Sequence, residues 1–155
     1  MISIVLALAA QSPDRLPPAQ ALPPPAGEEQ IVLASVNALL ASFYSGDSAA
    51  MLRWVYPDGR VTATGTRSSG SGLRQESWAD FAQRIKPDAA FQESISDPAI
   101  EIDGDAAMVW APFVVRVGGK VANCDVDHFD LVREGGVWKI MNLTFSSRVT
   151  GCPSE

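Results

Sequence analysis

Residues 106–145, AAMVWAPFVVRVGGKVANCDVDHFDLVREGGVWKIMNLTF, decide the fold. Long β-branched and aromatic runs are broken by Gly118-Gly119 and Gly135-Gly136, and a third reversal, Asp103-Gly104, lies just upstream. Two-residue loops of this kind join neighbouring antiparallel strands, because glycine accepts the positive dihedrals of a tight hairpin. The spacing predicts strands over 92–102, 106–117, 120–133 and 137–148. Counting outward from the turns sets Trp110 opposite Asp127, Asp127 opposite Thr144, Met108 opposite Phe129 and Phe129 opposite Asn142. Alternation then gives two faces. One carries Met108, Trp110, Asp125, Asp127, Phe129, Asn142 and Thr144, a mixture of apolar walls and a few polar groups that suits a pocket. The other, with Val109, Ala111, Phe113, Leu143 and Phe145, is almost wholly apolar. A β-bulge would swap these faces locally.

Upstream of the meander the period changes from two to between three and four. Val32, Val36, Leu39, Leu40 and Phe43 form a helical stripe behind Glu28 and Glu29, whose charges suit the positive end of a helix dipole. Asp47 is placed to cap a shorter helix through Val55. Tyr56-Pro57-Asp58-Gly59 reads as a turn, 60–66 as a strand, RSSGSG at 67–72 as a loop, and 75–85 as a third helix with Trp78, Phe81, Ala82 and Ile85 inward.

The 155 residues suit one domain, and 46% apolar content is enough for a core. A net charge of -6 argues against a nucleic-acid partner, which needs a basic face. The uncharged run 2–10 is too short for stable membrane insertion, which takes about 20 residues. With Ala7-Leu8-Ala9 it reads as a signal peptide over 1–12, although no Lys or Arg precedes it. Residues 13–27 hold six of the 11 prolines and read as a semi-rigid linker to a domain over 28–152. The expected location is periplasmic or secreted; without export it is cytoplasmic.

The order of elements resembles the NTF2-like (nuclear transport factor 2) superfamily. The pieces that carry this are IDGDAAMVW at 102–110, HFDLVREGGVWKI at 128–140 and the SSR…GC ending at 146–152. They look like its SnoaL-like, putative lumazine-binding branch. The resemblance implies an α+β cone, with N-terminal helices packed on a strongly curved antiparallel sheet around an apolar cavity, and a homodimer formed through the sheet. It identifies a fold that serves both binding proteins and enzymes.

Asp127 is the candidate catalytic group, since ketosteroid isomerase of this superfamily uses an aspartate base in an apolar cavity. Asp125 lies on the same face, roughly 6–7 Å away by strand rise. Structural pairing of both carboxylates with Trp110, Thr144, Arg60 or Arg148 is the competing reading. No motif matches Tyr44 or Tyr56 to the isomerase's tyrosine donor. Trp54, Tyr56, Trp78 and Trp110 are expected near the cone mouth with Met108, Asp125, Phe129, Asn142 and Thr144 as a ligand-binding set, against the alternative of plain core packing. His128 alternates away from Asp127. CDVDHFD does not converge on a metal ion, because Cys124 and His128 lie about 13 Å apart along an ideal strand. Gly118-Gly119-Lys120 joins two strands and opens no helix, so it is no phosphate loop. No metal or cofactor is expected. In an exported protein Cys124 and Cys152 pair as a disulfide; in a cytosolic one they are free thiols. Three functions are open: a small-molecule binder, an enzyme using Asp127 as general base on a carbonyl or polycyclic substrate, and an envelope accessory protein whose cavity is filled by its own side chains.

Overall fold

The computed structural model describes residues 27–67, 70–87 and 90–153. The expected signal segment and all of the linker but Gly27 lie outside them. The chain forms α1 (Glu28–Ser45), α2 (Ser48–Arg53), β1 (Val55–Ala63), β2 (Thr66–Arg67), β3 (Gly70–Ser71), β4 (Arg74–Ser77), α3 (Trp78–Ala82), β5 (Phe91–Ile95), β6 (Ala99–Asp103), β7 (Ala106–Val117), β8 (Lys120–Glu134) and β9 (Val137–Phe145). The main sheet runs β4-β1-β9-β8-β7-β5, with β6 also on β7. It is curved and unclosed, with the helices packed on it, an α+β layering. The meander is antiparallel as expected, but β1 joins β9 in parallel, so the sheet is mixed.

Local chemistry sets the element ends. Asp47 caps α2 by accepting from the Ala50 amide at 2.8 Å. The third helix spans Trp78–Ala82, starting three residues later and ending three earlier than the expected 75–85. Arg74–Ser77 instead pair with β1, and Ser77 Oγ accepts from the Asp80 amide at 3.1 Å as the cap. The expected 92–102 strand splits in two at 96–98. Asp97 takes φ 43°, and Pro98 has no amide to offer a ladder. β5 and β6 therefore hold successive halves of one β7 edge, at 113–117 and 106–110.

Two bulges overturn the register counted from the turns. Between β7 and β8, Val115 pairs with Asn123 but Arg116 with Val121, which leaves Ala122 unpaired. Between β8 and β9, Leu131 pairs with Ile140 but Asp130 with Asn142, which leaves Met141 unpaired. Past the first bulge Trp110 pairs with His128, and Asp127 with Ala111. Past the second, Asp127 pairs with Phe145 and Phe129 with Leu143. Because paired residues share a face and neighbours alternate, Trp110 and Asp127 stand on opposite sides of the sheet. The expectation of a shared hollow for them is overturned. Trp110 is 51% exposed and Asp127 1% exposed.

The inner face of the sheet supplies Val109, Phe129, Leu131, Ile140 and Leu143, and α1 covers them with Val32, Val36, Leu39 and Phe43. Each large apolar side chain buried this fully contributes about 1.5–3 kcal/mol. The 56–59 segment, expected as a turn, instead runs through β1 as an irregularity between Val55 and Arg60. There Gly59 lies so close to the Met141 carbonyl that a Cβ would sit 1.6 Å from its oxygen. The Trp78 indole N–H donates to that same oxygen at 2.9 Å, satisfying the residue that the bulge takes out of the ladder.

The Cys124–Cys152 disulfide is formed, with Cα atoms 5.6 Å apart. Next to it, Cys124 and Arg148 exchange two backbone hydrogen bonds of 3.1 and 3.0 Å, so the C-terminal tail is tied to β8.

Candidate functional site

At the β5 end of the inner face, the sheet and helices enclose a cavity of about 290 Å³. Its apolar lining includes Phe43 from α1, Phe81 from α3, Phe91 from β5, Phe113 and Val115 from β7, and Leu143 and Phe145 from β9. Phe113 and Phe145 meet edge to face at 6.0 Å, and Phe43 lies 5.4 Å from Phe81.

Two carboxyl groups enter this apolar wall. Asp127 stands on β8 opposite Ala111 and Phe145, and Glu93 projects from β5 opposite Val115. The two side chains share a hydrogen bond. Burial raises the Asp127 pKa well above the usual carboxylate range, and the charge and hydrogen bond of Glu93 raise it further. Burial likewise pushes Glu93 up to about 7, against a smaller opposing effect of its hydrogen bond with Asp127. The pair thus keeps a proton at neutral pH. Asp127 Oδ2 is buried and has no hydrogen-bond partner among the described residues.

The lining also holds four basic residues, Arg67, Arg74, Arg84 and Lys86. Arg67 is anchored by donating to the Gly72 carbonyl at 3.0 Å. Arg74 lies 3.2 Å from Glu76, which also accepts from Arg84. Arg84 stacks over Phe81, 5.0 Å from the ring centre. The Nε atoms of Arg67 and Arg74 are buried without acceptors among the described residues. The Arg74 pKa is lowered, first by burial and then by the neighbouring Arg84.

Of the residues expected to form a site, only Asp127 lines this cavity. Trp78 and Phe129 are core residues with no exposure. Trp54 packs against that core from its edge. Tyr56 donates to Glu134 at 3.3 Å. Met108, Trp110 and Thr144 occupy the outer face, as their pairing with Asp130 and His128 requires. Asn142 accepts from the Arg60 amide at 3.0 Å, and Asp125 sits 3.8 Å from Arg148. His128 is also on the outer face, 3.5 Å from Asp130. Among the described residues no group of three or more His, Cys, Asp or Glu side chains is placed to hold a metal ion.

Glu93 and the four basic residues escaped the sequence reading. Phe91-x-Glu93-x-Ile95 did carry a signal, since a carboxylate falls at a position whose alternate neighbours are apolar. Arg67 and Arg74 flank a glycine-rich loop whose path nothing local dictates.

A family model described as putative lumazine-binding matches residues 27–146. The chain belongs to this NTF2-like family. Its fold recurs in an NTF2-like protein of unknown function from Shewanella baltica (16% identity, 82% of this chain and 95% of that one, TM-score 0.58). It recurs in a protein from Planctomyces limnophilus (13%, 78% and 96%, TM-score 0.66). A third, described as a putative dehydratase of the NTF2-like family, comes from Streptomyces avermitilis (18%, 78% and 96%, TM-score 0.63). At these identities the likeness to solved structures concerns the NTF2-like fold alone. No curated protein matches the chain.

Proposed function

We propose that this NTF2-like protein binds a small apolar or aromatic molecule in the cavity between α1, α3 and the inner sheet face. The observation that carries the reading is the combination of a phenylalanine-walled space with an unpaired buried oxygen, Asp127 Oδ2. Such pockets hold a ligand by apolar contact and orient it by a few polar groups. The description of the family as putative lumazine-binding supports a flat ring as ligand. Titrating the full chain with neutral one- and two-ring aromatics, followed by amide NMR shifts, tests it. Shifts clustered at Phe113, Leu143 and Phe145 support the reading, and unmoved spectra across the panel overturn it.

A second reading is proton transfer, with Asp127 as general base or acid on a carbonyl-bearing substrate. It is favoured by the Glu93–Asp127 pair, because coupled carboxyls with raised pKa values can exchange a proton near neutral pH. Neither Tyr44 nor Tyr56 lines the cavity, so a tyrosine oxyanion donor has no counterpart in it. Deuterium exchange next to the carbonyl of a bicyclic ketone, monitored by NMR, tests this role. Loss of exchange in Asp127→Asn supports it, and equal exchange in that variant rejects it.

The disulfide accords with export to an oxidising compartment, periplasmic or secreted. Among the described residues no helix is long and apolar enough to cross a membrane. The outer sheet face, with Trp110 at its centre, is proposed as the surface of a homodimer.

A further inference from the structure

We propose that the cavity selects an aromatic carboxylate, with its ring among the phenylalanines and its anionic group on the basic residues Arg67, Arg74, Arg84 and Lys86. This deepens the small-molecule reading and rests on it. In a chain of net charge -6, four cations line a single cavity, and three of them, Arg67, Arg74 and Arg84, act on one another's charge. Among the described residues Glu76 answers them there, and it is divided between Arg74 and Arg84.

The guanidinium groups of Arg67 and Arg74 each present a buried Nε–H with no acceptor. Arg67 is steadied by backbone carbonyls and, among the described residues, has no carboxylate partner of its own. A planar carboxylate accepts from guanidinium N–H groups in pairs and would satisfy donors that the protein leaves open. It would also relieve the repulsion among Arg67, Arg74 and Arg84. Glu93 and Asp127 do not serve as those counter-ions. They are paired with each other, and the proton they retain reduces their negative charge.

The two polar ends set the ligand's orientation. The anion lies at the basic residues, and a hydrogen-bonding group elsewhere on the ring meets Asp127 Oδ2. A cavity of about 290 Å³ suits one or two fused rings.

Calorimetric titration of the full chain with 2-naphthoate and with neutral 2-naphthalenemethanol, at low and high salt, separates the possibilities. The expected result is at least about tenfold tighter binding of the acid at low salt, as a charge-assisted bidentate contact gives. That advantage should shrink at high salt and be lost in Arg74→Gln or Arg67→Gln variants that retain the wild-type circular dichroism. Equal affinity of wild-type protein for acid and alcohol overturns the carboxylate inference and leaves the apolar-ligand reading standing. Absence of binding by both overturns the two together. Should neither variant fold, the acid–alcohol comparison on the wild-type protein decides alone.

Discussion

Glu93 on β5 and Asp127 on β8 meet across the width of β7 and hold a proton between them inside a wall of phenylalanines. A carboxyl group whose folded pKa lies above its unfolded value favours folding where it is protonated. That advantage fades as pH rises through the interval between the two values.

For Glu93 this interval runs from about 4.5 to about 7, and the raised Asp127 pKa acts in the same sense. Melting temperature should therefore fall as pH rises from the acid side through neutrality, when the general acid-induced loss from other groups is subtracted using a variant. Asp127→Asn should flatten this dependence and be more stable than wild type above pH 7. Denaturant titrations of both proteins across that range check the sign; a parallel pH profile would contradict it.

Reduction of Cys124–Cys152, or Cys152→Ser, should cost about 3–4 kcal/mol, since the bond closes a 28-residue separation in the unfolded chain. The loss should be accompanied by faster amide exchange at Arg148, whose N–H bonds to Cys124. Urea unfolding with and without reductant, combined with exchange measurements, reads both.

Gly59→Ala should destabilise by roughly 3 kcal/mol or more, because its Cβ would overlap the Met141 carbonyl and β1 must leave β9 to avoid it. Trp78→Phe leaves that carbonyl without its indole donor and should cost about 2–4 kcal/mol through the unpaired group and the lost volume. Thermal unfolding of the two variants distinguishes these magnitudes from an ordinary surface change.

Trp110→Glu places a charge at the centre of the outer sheet face without touching the cavity. Sedimentation should give a dimer for the wild type and a monomer for the variant, with ligand binding retained by any cavity-filling probe. A wild-type monomer at high concentration would remove the proposed interface.

The architecture was legible because periodicity and turn chemistry are local. The stripe from Val32 to Phe43 and the glycine pairs at 118–119 and 135–136 each announce their element within a few residues. The site was not legible for a reason equally physical. A strand's faces alternate with period two, so one unpaired residue, Ala122, carries Asp127 from the side of Trp110 to the side of Ala111. Nothing in the composition around Ala122 or Met141 marks them as bulged. Asp127 was singled out through the resemblance to ketosteroid isomerase, yet its partner Glu93 lies 34 positions away, and only the folded sheet introduces them.

The interruption at 96–98 separates two regions along the same long ribbon. Beside β6 lie Ala107 and Val109, buried in the core with Leu131 of β8. Beside β5 lie Glu93, Phe113 and Val115, which line a hollow. Because β5 can shift or change its side chains without pulling on β6, chemical selectivity at one end is uncoupled from structural integrity at the other. A lineage carrying this interruption can exchange one guest molecule for another by substitutions in five residues of edge strand, while the rest of the ribbon continues to hold the molecule together.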